Sequence, residues 1–281
     1  MHKMENTRFV YACDVHGSVP HYDAILRMAR EETARLVVLG GDLFPNEGDL
    51  VREQSGFIAG EFWAFLARCK NAGVMVVLIP GNDDVSVHDD ILREVVDASG
   101  CAVNVAGGIA EIFGWIFVGN DLVSDYPFLL KDRVRLDTGQ EPVTRDAVWS
   151  RKNGFTRRIP WGPVARKAPR LVVELDALPK VKDGRPWIFL CHAPPAGAEL
   201  DVTYGKNRVG SVDVRAYIEK NAPAVSFHGH IHESPEMSGR TWKARIGDTL
   251  CVQPGQDRRA AVLVVGTLGE NDFRRKIVPL L

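Results

Sequence analysis

The chain has 281 residues, 45% of them apolar, and a formal net charge of -1 at pH 7. This length and apolar content allow one large domain or two small ones with a substantial core, and the near-neutral charge argues against a protein whose whole surface binds nucleic acid. The five cysteines are far apart and form no Cys-x-x-Cys pair, which argues against a disulfide framework and a thiolate zinc site and favours a reducing compartment.

The N-terminal stretch MHKMENTRFVYACD has no apolar core before a cleavage site. No apolar run approaches the roughly 18 residues that a membrane span requires. We therefore expect a cytoplasmic protein with no membrane partner. The sequence makes no prediction of oligomeric state.

The first hundred residues predict a βαβαβα arrangement. Three short apolar runs rich in β-branched residues end at Gly, Pro or Asp, as buried parallel strands do: RFVYAC, RLVVLG and VMVVLIP. Apolar residues at helical spacing predict helices over residues 22–33 and 57–70. A third helix is expected to begin at Ser86, with its hydroxyl as the cap and Asp89 three residues later.

After Gly100 the pattern changes. The stretch CAVNVAGGIAEIFGWIFVGND predicts strands joined in a hairpin by the Gly-Gly turn. Five further runs predict strands, RLVVELDAL, WIFLCH, AVSFHGH, TLCVQPG and AAVLVVGTL, and residues 211–221 predict a helix. We expect an α/β fold with two packed sheets flanked by helices.

The segment from about 125 to 170 departs from this regularity. Between residues 145 and 170 it carries eight basic and three aromatic residues with little periodicity. It is interpreted either as a cap that recognises an anionic or nucleobase-bearing substrate, or as a solvated surface excursion held by Trp149 and Trp161. Replacing Arg157 and Arg158 by Ala would distinguish the two. We treat residues 1–281 as a single domain with this basic and aromatic insertion.

Side chains that can bind metal follow five of the predicted strands. They are Asp14, His16, Asp42, Asn82, His192, His230 and His232. In an extended chain, residues two apart point the same way, so the Asp-x-His and His-x-His pairs can each act as a clamp. The carboxyl ends of parallel strands can converge on one crevice. Turn formation would explain any one of these residues alone but not all of them together.

Imidazole, carboxylate and amide ligands suit a divalent manganese, iron, zinc or nickel ion. Seven ligands are too many for one such ion. Two ions about 3.5 to 4 Å apart that share one carboxylate would use the whole set and would clamp a phosphoryl group. Asp42 is the expected bridge.

Five motifs in chain order, DVH, GGD, PGN, CHAPP and GHIH, resemble those of the calcineurin-like metallophosphoesterase superfamily. The resemblance extends from Phe9 to about Val265, with the insertion outside it. It implies a four-layer αββα sandwich of two mixed sheets between helices, and attack on phosphorus by a hydroxide that bridges the two ions. It also implies that one ion is held by Asp14, His16, Asp42 and His232, and the other by Asp42, Asn82, His192 and His230.

The residue after Asn82 departs from the family pattern, in which a histidine contacts the phosphate and helps to protonate the leaving group. Asp83 takes that place, so Asn82, Asp83 and Asp84 are expected to form an altered catalytic corner. A carboxylate beside two cations stays ionised, donates protons poorly and repels an anionic substrate. We therefore expect a restriction to good leaving groups, or protonation by a metal-bound water or by His88.

Several neighbouring residues are expected to have ordinary roles. Cys13 and Cys191 precede ligands, but alternation should turn both into the sheet, where they pack. His228 is expected to support or pack against the site without ligating. We treat His2, His21 and Asp90 as surface residues.

The sequence thus predicts a metal-dependent phosphoesterase that acts on a phosphodiester or phosphomonoester of small-molecule type. A diester is slightly favoured, because the charge of Asp83 should disfavour a dianionic monoester most. Two alternatives remain. One is a non-catalytic metal-binding scaffold of the same fold that binds other proteins; the other is a nuclease, with nucleic acid as a less favoured partner whose binding would depend strongly on salt.

Overall fold

The computed structural model describes residues 6–270 and 272–280, so the expectation for His2 lies outside it. Two six-stranded mixed β-sheets pack face to face, and helices cover their outer faces. The predicted α/β fold with four layers in the order αββα is therefore confirmed. Within the described ranges, no helix combines the length and apolar character needed to cross a bilayer.

The first sheet is parallel at one side and antiparallel at the other. From edge to edge it contains β18 (Arg274–Pro279), β17 (Ala260–Leu268), β1 (Thr7–Ala12), β2 (Leu36–Gly40), β3 (Met75–Ile79) and β4 (Ala102–Asn104). Strands β1 to β4 are parallel, and β17 runs antiparallel to both of its neighbours.

The second sheet has a parallel centre with an antiparallel strand at each edge. It contains β15 (Lys243–Ile246), β16 (Thr249–Val252), β14 (Val225–Phe227), β13 (Trp187–Cys191), β6 (Trp115–Asn120) and β5 (Ile109–Ile112). The parallel strands of both sheets place the chain segments that follow them where they can form one site.

Helices cover both outer faces. Those that pack on the first sheet are α1 (Val19–Glu31), α2 (Leu50–Phe57), α3 (Trp63–Asn71) and α4 (Asp89–Ser99), with a π-helical turn, Ile58–Phe62, between α2 and α3. On the second sheet lie α6 (Leu171–Ala177) and α7 (Val212–Asn221). Two short helices are α5 (Trp161–Ala165) and α8 (Ser234–Met237).

Six two-residue strands lie between β6 and α6. They pair as β7 (Val123–Ser124) with β8 (Val134–Arg135), β9 (Asp146–Ala147) with β12 (Ile159–Pro160), and β10 (Ser150–Arg151) with β11 (Gly154–Phe155). Most of these belong to the insertion predicted at 125–170. The insertion thus has local hairpin structure but does not extend either main sheet.

Strand β1 shows why the central strands are apolar on both faces. Val10 packs among the helices that cover the first sheet, whereas Phe9 and Tyr11 pack between the two sheets. Phe9 and Tyr11 both contact Phe227 of the second sheet, with ring centroids 5.4 and 4.5 Å apart. Because side chains alternate along a strand, both faces of β1 are buried and no polar face is needed.

Two predicted elements are wrong. The run RLVVELDAL forms helix α6, because Leu171 and Leu175 lie one turn apart and are buried, while Val173 between them is 56% exposed. The Gly107-Gly108 pair does not close a hairpin: β4 before it joins the first sheet and β5 after it joins the second. The hairpin between β5 and β6 turns at residues 113–114 instead.

Three helix predictions are confirmed with changed ends. The helix predicted over 22–33 is α1, and the one predicted over 57–70 begins earlier, at α2. The third begins with a 3₁₀ turn, Ser86–His88, before α4. Ser86 does not cap it, because its backbone N–H and its hydroxyl both donate to Asp132 Oδ2.

Candidate metal centre

The seven predicted ligands follow the carboxyl ends of five strands from both sheets. Asp14 and His16 follow β1, Asp42 follows β2 and Asn82 follows β3; His192 follows β13, and His230 and His232 follow β14. The sheet packing brings these segments together, since His230 N donates to Asp14 Oδ1 at 2.9 Å and Asp83 N donates to Asp42 Oδ1 at 2.7 Å.

The backbone at this edge is turned and strained. Positive φ angles occur at Asp14 (56°), His16 (47°), Asp42 (52°) and His230 (71°). Such conformations cost non-glycine residues about 1 to 3 kcal/mol each and cluster at functional sites. Left-handed turns therefore aim these side chains, and the Asp-x-His and His-x-His pairs do not lie in extended strands as the predicted alternation requires.

Four side chains form a first group around Asp14. Asp14, His16, Asp42 and His232 place one ligand atom each within 4.8 Å of the others. The Nε2 atoms of His16 and His232 are 3.1 Å apart. Asp14 Oδ2 and His16 Nδ1 are buried and have no hydrogen-bond partner among the described residues. Buried polar atoms are almost always partnered, so a cation fits this group.

A second group shares Asp42 with the first. Its members Asp42, His192 and His230 also place ligand atoms within 4.8 Å of one another. His192 Nδ1 donates to the Gly40 carbonyl at 2.7 Å, which leaves Nε2 facing the group, 3.0 Å from Asn82 Oδ1 and 3.3 Å from Asp42 Oδ2. A metal-binding histidine is typically oriented in this way by its other nitrogen.

Protonation balances the carboxylates of the groups. Burial acts to raise the pKa of the Asp14 carboxyl, but the nearby His232 and His192 outweigh this effect and lower that pKa below its usual range. Burial likewise opposes the charge of His192 and of His232, yet the nearby aspartates raise their pKa values to about 10 and about 9. Imidazolium protons thus supply the positive charge that the carboxylates need, and a bound cation would displace them.

Two glycines allow the loops to approach closely. A Cβ at Gly41 would lie 2.8 Å from Cγ of His192, and one at Gly81 would lie 2.8 Å from Cγ of Asp42. Gly41 also has a φ of 100°, which side chains other than glycine rarely adopt. The glycines of the GGD and PGN motifs therefore bring Asp42, Asn82 and His192 together.

Asn82 and Asp83 form one hydrogen-bonded pair beside the ligands. Asn82 Nδ2 donates to Asp83 Oδ1 at 2.9 Å, which orients Asn82 Oδ1 toward His192. The Asp83 side chain is 33% exposed and its Oδ2 lies 3.9 Å from His16 Nδ1. Burial and then Asp42 raise the pKa of Asp83 to about 7. Two cations beside it would lower that pKa and keep it ionised.

The contacts of Asp84 indicate a structural role, whereas the sequence predicts that it belongs to the catalytic corner. Its buried carboxylate accepts the backbone N–H groups of Leu43 at 3.0 Å, Phe44 at 2.9 Å and Gly81 at 2.8 Å. Burial and Asp42 raise its pKa to about 7, while these N–H groups oppose the rise. With three donors around two oxygens, Asp84 braces the loops after β2 and β3.

Several expectations for neighbouring residues can be checked directly. Cys13 and Cys191 are fully buried and pack in the cores, as predicted. His228 is also buried, and both ring nitrogens have partners, Ser226 Oγ at 2.7 Å and the Ala193 carbonyl at 2.8 Å, so its packing role is confirmed. His88 contacts the Val51 carbonyl through Nε2 at 2.6 Å.

The surface prediction was right for Asp90, whose side chain is 79% exposed, and wrong for His21. His21 is buried because its ring bridges Ser18 Oγ, at 2.7 Å from Nδ1, and the Asp257 carbonyl, at 2.8 Å from Nε2. It ties the loop after β1 to the loop before β17.

An open groove of about 340 Å³ leads to the first group. Asp14, His16 and His232 line it together with Asn46 and Arg258. Two further openings, of about 480 and 670 Å³, are lined by none of the seven predicted ligands. The groove therefore offers a substrate access to the first group.

Tyr126 lies beside the ligands, although no pattern in the sequence predicts a site residue at this position. Its ring lies 5.6 Å from that of His230, and its hydroxyl donates to the Leu130 carbonyl at 2.9 Å. The stretch SDYPF, at the start of the insertion, carries no motif that marks it. Only the packing of the insertion brings Tyr126 to the site.

The insertion keeps features of both interpretations. Trp161 is buried and its ring lies 5.8 Å from that of Trp149, which fits a segment held by its tryptophans. Arg157 and Arg158 are exposed. Because Tyr126 adjoins His230, the start of the insertion also forms part of the rim of the site.

Comparisons with known proteins agree with the fold and the motifs. The family described as Calcineurin-like phosphoesterase matches residues 7–234. No curated protein matches the chain. One solved structure covers 98% of this chain and 100% of its own, with 15% identity and a TM-score of 0.65. A protein of Thermus thermophilus covers 97% and 99%, with 16% identity and a TM-score of 0.61. A dimetal phosphatase from Danio rerio covers 99% and 98%, with 13% identity and a TM-score of 0.54.

Proposed function

The chain belongs to the calcineurin-like phosphoesterase family, and we propose that it is a hydrolase of phosphate esters that depends on two divalent metal ions. The observation that carries the proposal is that Asp42 belongs to two adjoining ligand groups. When bound, two divalent ions would activate water and neutralise charge on the phosphoryl oxygens. Manganese, iron, zinc and nickel all suit the donor set.

We propose the ligand assignment implied by the motifs. Asp14, His16, Asp42 and His232 would hold one ion; Asp42, Asn82, His192 and His230 would hold the other. The close approach of His232 Nε2 to His16 Nε2, at 3.1 Å, and to Asp14 Oδ1, at 3.5 Å, supports the first set. The Gly40 carbonyl orients the His192 ring and Asp83 orients the Asn82 amide, and both observations support the second set.

The test is metal-dependent turnover by the full chain. Metal-stripped protein is assayed with aryl monoesters and aryl diesters while manganese, zinc, nickel, iron or magnesium is added. We expect turnover only with metal and at least a ~10³-fold loss for Asp42→Ala, because that change removes a ligand from both groups. Asp90→Ala, which removes an exposed carboxylate, is the matched control. Activity that survives Asp42→Ala would refute the assignment, and no turnover with any ion would favour the scaffold alternative.

We further propose that a diester is preferred over a monoester. Asp83 is partly exposed between His16 and Asn46, where its charge faces an entering anion. One additional substrate charge nearby costs on the order of 1 kcal/mol after screening, about fivefold in affinity. Asp83→Asn should therefore improve kcat/KM for the monoester relative to the diester, and an unchanged ratio would contradict this.

Asp83→His tests the expected restriction to good leaving groups. A positioned histidine that acts as a general acid accelerates a reaction by about 10²- to 10⁴-fold, mostly for poor leaving groups. We expect the variant to reduce the difference in rate between aryl and alkyl esters. A dependence on leaving group that stays the same would show that Asp83 does not impose the restriction.

The exposed basic residues of the insertion are the observation that favours a nuclease as a second candidate. Exposed residues there include Arg151, Lys152, Arg157 and Arg158. Contacts with a nucleic acid backbone would make affinity fall steeply with salt. In a plot of the logarithm of the binding constant against the logarithm of the salt concentration, each phosphate contact steepens the slope by close to one. If Arg157 and Arg158 make such contacts, replacing both by Ala reduces the slope by about two. A binding constant independent of salt removes this candidate.

A further inference from the structure

Phe128 is an exposed aromatic residue that is linked to the second ligand group through Tyr126. Its side chain is 67% exposed. The Phe128 and Tyr126 ring centroids are 5.5 Å apart, and those of Tyr126 and His230 are 5.6 Å apart. The exposed ring is therefore two ring contacts from a predicted metal ligand.

A tight turn holds Phe128 in this place. Phe128 N donates to the Tyr126 carbonyl at 2.9 Å, across Pro127. The Tyr126 hydroxyl donates to the Leu130 carbonyl at 2.9 Å, so the turn is closed on both sides of Phe128. The aromatic ring points out of a turn that is itself fixed.

The turn is anchored by a buried network around Asp125. Asp125 Oδ1 accepts the Lys131 ammonium at 2.6 Å and the Tyr126 N–H at 3.0 Å. Asp125 Oδ2 accepts Trp161 Nε1 at 2.7 Å and the Val143 N–H at 2.8 Å. The Lys131 and Asp125 side chains are fully buried. A satisfied buried network of this kind makes the start of the insertion rigid.

We propose that Phe128, backed by Tyr126, is a specificity-determining residue that contacts a flat aromatic group of the ester, either an aryl ring or a nucleobase. This rests on the proposed function, since it assigns the substrate class of the same site. Single exposed apolar side chains are common on protein surfaces. Phe128 differs because a fixed turn presents it two ring contacts from His230, within reach of the organic part of an ester bound at the second ligand group.

Binding of inert phosphonates measures this contact without turnover. Phenylphosphonate and methylphosphonate carry the same acid group and no ester bond, and both are titrated calorimetrically into the manganese-loaded full chain. An aromatic pair typically contributes ~1 kcal/mol, so we expect phenylphosphonate to bind about fivefold more tightly. Cyclohexylphosphonate, which is apolar but not flat, should lose most of that preference.

Variants at position 128 link the preference to this ring. Phe128→Ala should abolish the preference and Phe128→Trp should keep it. Phe155→Ala, which removes another exposed phenylalanine of the insertion, is the matched control and should change nothing. A nucleoside phosphonate that binds more tightly than phenylphosphonate would assign the face to a nucleobase, and one that binds no more tightly would assign it to an aryl group.

A phenyl preference that is missing in the parent protein, or that persists in Phe128→Ala, would overturn the proposal. Failure of the proposed function gives a different result. In that case the loaded protein would hydrolyse no ester, whatever its preference between the phosphonates.

Discussion

Gly81→Ala perturbs the metal centre without changing any predicted ligand. The added Cβ would lie 2.8 Å from Cγ of Asp42 and nearer still to its backbone N and Oδ1. Carbon atoms pack at about 3.5 to 4.0 Å, so Asp42 or the loop at 81 has to move by at least ~0.7 Å.

Asp42 cannot yield freely, because its Oδ1 accepts the Asp83 N–H at 2.7 Å and its carbonyl accepts the His16 N–H at 2.9 Å. Ligand distances in metal sites tolerate only about 0.2 Å. Because Asp42 belongs to both groups, we expect both ions to bind ~10- to 100-fold more weakly. Overpacking should also lower the free energy of unfolding of the metal-free protein by about 1 to 3 kcal/mol.

The assay is calorimetric titration of metal into the stripped protein, with urea unfolding of the same preparation. Gly56→Ala is the matched control: a Cβ there meets nothing within 4 Å, and Gly56 lies in α2. It should leave metal binding unchanged and stabilise the helix by up to ~1 kcal/mol. If Gly81→Ala binds two ions as tightly as the parent, the shared position of Asp42 does not control metal binding.

Asp84→Asn should lower the free energy of unfolding by ~1 to 3 kcal/mol, since its amide nitrogen cannot accept the N–H of Gly81; unchanged urea unfolding would refute the bracing role. Lys131→Met should cost ~3 to 5 kcal/mol in the same assay, because the buried Asp125 carboxylate loses the only cationic partner that it has among the described residues; a loss under ~1 kcal/mol would contradict this. Burial lowers the pKa of His21 in the folded protein. As the pH decreases below ~6.5, the imidazole is therefore protonated in the unfolded chain before it is protonated in the folded one, and the free energy of unfolding should decrease. His21→Gln should weaken that dependence, and an identical pH profile would argue against it. Metal at 100 times its Kd should add ~2.7 kcal/mol of stability that a chelator removes, as a melting curve would record.

Local patterns in the sequence were sufficient for the central strands and for finding the metal-binding side chains that the structure brings together. The runs before Asp14, Asp42 and Asn82 are apolar throughout because strands buried on both faces need no polar side, and that property is visible in a few consecutive residues. The Asp-x-His and His-x-His pairs are likewise visible in three consecutive residues each. Their convergence could be anticipated because parallel strands present their carboxyl ends at one edge.

Contacts between distant parts of the chain decided what the sequence left open or misassigned. Whether RLVVELDAL forms a strand or a helix depends on helix α7, which packs against it. Val172 N donates to Asp213 Oδ2 of that helix, and the two residues are 41 positions apart in the sequence. The burial of His21 depends on the Asp257 carbonyl, and the bracing role of Asp84 depends on N–H groups of the loop after β2. The place of Tyr126 beside His230 depends on how the insertion folds back. Residue type and spacing determine which groups can bind a metal; which of them meet, and which are committed to the backbone, is set by packing between segments far apart in sequence.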